Sequence, residues 1–117
     1  MTAPHPIWIV DEVTTRPGQG AAFLDAYLTR YAPKAEARGM TLAHRMVEPA
    51  VWLDHAPNRL LFVWTLADAG AVWGAKHAAR MDPDVLRWWE EEAPAFILSR
   101  RRMTMADADA IAGLGHV

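Results

Sequence analysis

Between residues 7 and 15, Ile-Trp-Ile-Val-Asp-Glu-Val-Thr-Thr, β-branched and aromatic side chains dominate, and the run predicts a first strand. Arg16-Pro17-Gly18 ends it, because proline has no N–H for a ladder and glycine permits a turn. The period then changes. Over 19–38, Phe23, Tyr27, Leu28, Tyr31 and Ala35 recur every three or four residues, which is one face of a helix. Pro33 lies inside that span and should kink or split it, and Gly39 is a natural stop. Residues 41–53 form a second strand region, which Pro49 interrupts as an edge strand or a bulge would allow. After the turn cluster 54–58 comes a third strand, 59–66, apolar on both faces and so expected to be central and covered twice. Asp68 suits the N-cap of a helix running to about Met81. Asp82-Pro83 starts another short helix, 83–93, which Pro94 stops. Residues 96–105 give the last strand, and the tail 106–117 reads as a short helix or a loose end.

The order is β-α-β-β-α-(α)-β, an α+β, ferredoxin-like arrangement: a four-stranded antiparallel sheet with helices on one face. A third strand apolar on both sides must bury its second face. The simplest cover is the same face of a second copy, so a homodimer is expected. Length agrees with one domain, since 117 residues hold a single core.

Charge and composition then exclude several classes. Net charge is −2, which gives no drive toward nucleic acid or an anionic membrane. No cysteine is present, so thiol nucleophiles, disulfides and thiolate metal sites are out. The five histidines are scattered, with no metal-binding spacing, and no metal is expected. No apolar run approaches the roughly 20 residues of a membrane span. Residues 1–6 lack the pattern of a signal peptide, so a cytoplasmic protein is expected.

Six tryptophans change the picture, because they suit a pocket for a hydrophobic small molecule. Trp64, Trp73 and Trp88, with Tyr27 and Phe62, are the candidate walls. On the helix after Asp68, Val72, Ala75 and Ala79 share the packing side, while Trp73 lies beside Lys76, His77 and Arg80. That group is either a pocket wall or an exposed tryptophan under long side chains. Asp11 shares a strand face with Ile7, Ile9 and Val13; it is either a carboxyl activated by burial, a candidate base, or an acid at the strand end, solvated or paired with an arginine. His44 on the second strand and His77 are candidate general bases, since imidazole titrates near neutrality. In Arg100-Arg101-Arg102, alternation sends the members to two faces, so the run is no nucleic-acid patch. One face should meet an anionic ligand or the Glu90-Glu91-Glu92 cluster, and Arg80 or Arg101 is the candidate for holding an anion. Trp88 and Trp89 sit on a short helix between two prolines, which suits a flap.

The order of elements resembles the dimeric α+β barrel superfamily. The resemblance extends to Thr15-Arg16-Pro17-Gly18 ahead of the first helix, Pro57-Asn58-Arg59-Leu60-Leu61-Phe62-Val63-Trp64 in the third strand, and Arg80-Met81-Asp82-Pro83 before the paired tryptophans. Over about 7–105 the chain looks most like NIPSNAP-like proteins and small antibiotic-biosynthesis-type monooxygenases. That resemblance implies cofactor-independent oxygenation, in which a deprotonated phenol or enol reacts with dioxygen. A lyase, cyclase or isomerase using the same proton transfers, and a non-enzymatic ligand-binding or interaction protein, are the alternatives. The similar haem-degrading enzymes carry an Asn, a Trp and a His. By position these fall at Asp11, Trp73 and Pro83, and the two departures speak against haem.

Overall fold

The period-two runs form strands and the longer periods form helices, in the order the sequence predicts. The computed structural model describes residues 5–114. Strands β1 (Ile7–Thr15), β2 (Thr41–Glu48), β3 (Arg59–Leu66) and β4 (Ile97–Ala106) form one antiparallel sheet in the order β2-β3-β1-β4. β3 is internal and β2 is an edge, as its Pro49 requires. β2 stops at Glu48, short of the region expected to reach residue 53, because Pro49 cannot continue the ladder.

The first helical span is not one helix. An α-helix α1 (Gly20–Ala26) leads into a π-helical turn, Tyr27–Tyr31, and then α2 (Ala32–Ala37). The irregularity therefore lies ahead of Pro33, which sits in the first turn of α2, where its missing N–H costs nothing. Helix α3 (Ala69–Arg80) has Asp68 as its cap, with the Ala71 N–H donating to Oδ1 at 2.8 Å. Helix α4 (Pro83–Arg87) is shorter than the expected 83–93, because a second π turn, Trp88–Glu92, and a 3₁₀ turn, Ala93–Ala95, take over. A 3₁₀ segment, Ala108–Leu114, follows β4, and the end of the tail lies outside the described residues, as does most of the amino-terminal segment 1–6.

The two sheet faces differ. Ile7, Ile9, Asp11, Val13 and Thr15 of β1 are all buried beneath helices, with Leu60, Phe62, Trp64 and Leu66 of β3 beside them. Trp8, Glu12, Thr14, Leu61, Val63 and Thr65, on the other face, are only partly covered. The turn after β1 is fixed by Asn58. Its N–H donates to Thr15 Oγ1 at 3.0 Å, its Nδ2 donates to Val51 O at 2.9 Å, and its Oδ1 accepts from the Leu53 N–H at 3.0 Å. Gly18 takes φ +72° there, and a Cβ on it would stand 2.6 Å from the Asp54 carbonyl oxygen.

Candidate functional site

In the middle of β1, Asp11 is fully buried on the helix-covered face. A charge in that position persists only if paired and hydrogen-bonded. Register supplies the partner: β4 runs antiparallel to β1 and sets Arg102 directly opposite Asp11. Arg102 Nε donates to Oδ1 at 2.7 Å and a terminal nitrogen donates to Oδ2 at 2.8 Å, a two-pronged pair. The Tyr27 hydroxyl donates to Oδ2 at 2.9 Å and accepts from Trp64 Nε1 at 2.7 Å. Arg102 also donates to the Tyr31 hydroxyl at 2.8 Å, and Arg38 donates to that same oxygen at 3.1 Å. One connected network thus joins β1, β3, β4 and the first π turn.

The aromatic rings form its walls. Tyr27 stacks on Phe62 with centroids 3.7 Å apart, and Tyr31 meets Trp89 edge-on at 5.1 Å. Both π turns thereby place rings over the network: Tyr27 and Tyr31 from one, Trp88 and Trp89 from the other. Such turns recur at functional sites. Burial, then the negative charge of Asp11, pushes the Tyr27 phenol well above its ordinary value, so it stays a neutral donor. Burial works against the charge on Arg102, but the hydrogen bonds and charge of Asp11 outweigh it and hold the guanidinium above its usual range. Arg100 behaves differently. Burial lowers it, Asp11 offsets part of that, and Arg102 repels it. The Trp88 indole N–H and two Arg38 nitrogens are buried without a hydrogen-bond partner among the described residues.

Of the residues expected at a site, Asp11, Tyr27, Phe62, Trp64 and Trp88 come together here. They pack against one another, each at most 2% exposed, rather than around an open hollow. The others lie elsewhere. Arg101 faces away, opposite Glu12 on the other side of the sheet. His44 is exposed at the β2 edge, opposite Val63, and lines a cleft of about 460 Å³ with Leu28, Ala32 and Arg45. Trp73 is 71% exposed on the outer side of α3, where Lys76 lies over its ring at 5.5 Å and His77 and Arg80 are also exposed; Val72 and Ala75 take the packing side. Arg102, Arg100, Tyr31 and Trp89 are the members the sequence reading did not single out for chemistry. The signal existed: alternation puts Arg100 and Arg102 on one face, and pairing of first and last strands puts that face against Asp11. Among the described residues no group of three or more potential ligands could hold a metal, and no helix is long and apolar enough to cross a membrane.

No family model matches the sequence, and no curated protein is similar to it. Solved structures are similar in fold. A NIPSNAP-family protein of Agrobacterium tumefaciens superposes with a TM-score of 0.70 at 13% identity, covering 93% of this chain and 91% of that one. A NIPSNAP-domain protein of Burkholderia xenovorans gives 0.67 at 12%, covering 87% and 94%. A Nitrosomonas europaea protein named for antibiotic biosynthesis monooxygenases gives 0.62 at 9%, covering 92% and 95%. The chain therefore has the ferredoxin-like α+β fold of the NIPSNAP proteins and of that monooxygenase-named protein.

Proposed function

We propose that this chain is a homodimeric enzyme acting on a hydrophobic, aromatic or polycyclic metabolite by cofactor-independent monooxygenation. The observation that carries the reading is the Asp11–Arg102–Tyr31 network set beneath Trp89. Asp11 is the anchor, because its oxygens are taken up by Arg102 and Tyr27. Tyr31 Oη, with two guanidiniums donating to it, is the atom that accepts or returns a proton, and Arg102 stabilises the oxyanion that forms. An activated ring methylene would lose a proton there. Dioxygen adds to the carbanion; one oxygen stays as the new carbonyl, and the other leaves as water with the two methylene hydrogens. That balance needs no outside reductant.

The packed aromatic rings must part to admit a substrate. Segment 83–95, which carries Trp88 and Trp89, is the lid. Arg30–Glu92 at 3.0 Å and Lys34–Asp84 at 3.1 Å tie it to the first helical span through exposed pairs. A pair such as Arg30–Glu92 contributes only about 0–1 kcal/mol, so it resists opening little. The homodimer rests on the uncovered sheet face, where Leu61, Val63 and Met103 are only partly covered.

Oxygen uptake with 1,8-dihydroxyanthrone, whose methylene is acidic, tests the reaction. Uptake by the wild type that falls at least tenfold in Tyr31→Phe supports it. Turnover of such compounds without oxygen points to a lyase, cyclase or isomerase. Binding with no turnover points to a ligand-binding protein.

A further inference from the structure

Arg100 carries a guanidinium with open hydrogen-bonding capacity that, unlike the free nitrogens of Arg38 and Trp88, is not shut away from water. It lies two residues before Arg102 on the edge strand β4 and faces the same way. Its guanidinium is laid on the Trp89 ring, 3.5 Å from the centroid, which fixes its plane. Its nearest carboxylate oxygen, Asp11 Oδ1, is 3.5 Å away and already accepts from Arg102 at 2.7 Å. Glu90, Glu91 and Glu92 make no ion pair with it, and Glu92 is held by Arg30 instead. Two guanidiniums therefore share one carboxylate, leaving one positive charge in excess. That excess is not sealed in, since the Arg100 and Arg102 side chains are 26% and 28% exposed.

We infer that Arg100, braced on Trp89, is the seat of the carboxylate of an aromatic acid, so that the substrate reaches the site already charged. A planar carboxylate matches the free edge of a guanidinium with two parallel hydrogen bonds. It also supplies a counter-charge for the guanidinium that Asp11, already taken up by Arg102, does not neutralise. The aromatic body continues toward Trp89 and Tyr31, whose rings meet at 5.1 Å. This deepens the function proposed above by naming the substrate class, and it rests on that reading for the catalytic role of the site.

Calorimetric titration of the whole chain with 1-naphthoate and with neutral 1-naphthylmethanol tests it. Naphthoate is expected to bind at least tenfold more tightly. Arg100→Gln should remove that advantage and leave the alcohol's affinity unchanged, and Arg100→Lys, which keeps the charge without the fork, should restore only part of it. A thermal melt of each variant establishes that it is folded. Equal affinities for the two ligands, no binding of naphthoate, full retention in Arg100→Gln, or equally strong binding of inorganic phosphate would each overturn the inference. Oxygen uptake with the anthrone separates the two ideas. Naphthoate binding that depends on Arg100, with no uptake, leaves the anion site standing and removes the oxygenase. Uptake without any preference for the acid does the reverse.

Discussion

The same four strands present two unlike surfaces. On the helix-covered side, Asp11 and Arg102 face each other across β1 and β4 with Asp11 wholly out of water. One residue along each strand, Glu12 and Arg101 face each other on the uncovered side, half-buried and exposed respectively. The residue types and the register match, but the cover differs, and Glu12 makes its ion pair sideways with exposed Arg59 at 3.4 Å rather than with Arg101. Cover decides what such a pair does. In the interior it is a fixed, fully hydrogen-bonded element on which stability and the site depend, and at the surface it is a screened contact worth little.

The largest contrast should come from removing the acids. Asp11→Ala leaves two partly buried guanidiniums without a counter-charge and is expected to cost about 3–5 kcal/mol, against well under about 1 kcal/mol for Glu12→Ala, by urea unfolding. Arg102→Met should cost about 3 kcal/mol and Arg101→Met within about 0.5 kcal/mol; the Asp11→Asn, Arg102→Met double variant should recover only part of the loss, since the buried carboxylate is gone but the partly exposed Arg100 loses its counter-charge. Val63→Glu tests the homodimer proposed through the uncovered face: the parent chain should sediment as a dimer and the variant as a folded monomer.

Smaller effects sharpen the same contrast. Tyr27→Phe deletes the donor to Asp11 and the acceptor of the Trp64 N–H, for about 1–3 kcal/mol. It should also change the alkaline limb. The folded phenol ionises later than the unfolded one, whose ordinary value is 10.0, so unfolding above that pH releases a proton and stability falls as pH climbs. Tyr27→Phe is expected to flatten that decline. Arg30→Ala, which releases Glu92 of segment 83–95, should change stability by only about 0–1 kcal/mol.

Much of this layout is readable from residue order. Alternation in 7–15 groups Ile7, Ile9, Asp11 and Val13 on one face, 59–66 reads as apolar on both faces and central, and Asp68, Pro49 and Gly39 mark their boundaries for local chemical reasons. The π turns are not readable, because Tyr27-Leu28-Thr29-Arg30-Tyr31 fits a regular helix just as well. Their cause lies in how both rings reach the sheet, which is a tertiary matter. The site is legible in half: Asp11 stands out as an acid among apolar neighbours, but its partner lies 91 residues away and is fixed only by the β1–β4 register. Trp73 shows the converse. Its polar neighbours suggest a pocket wall, yet small residues on the other side of α3 do the packing and turn it outward.

The Asp11–Arg102 contact also polices how the chain ends meet. β1 and β4 lie at opposite ends of the sequence, so their pairing closes the longest loop in the sheet. If β4 slides by a single position, Arg101 enters the interior, Arg100 and Arg102 swing outward, and Asp11 loses both of its prongs. Neighbouring alignments are thereby penalised far more heavily than an all-aliphatic strand pair would penalise them. A single acid kept out of water thus makes the correct closure of the sheet unambiguous.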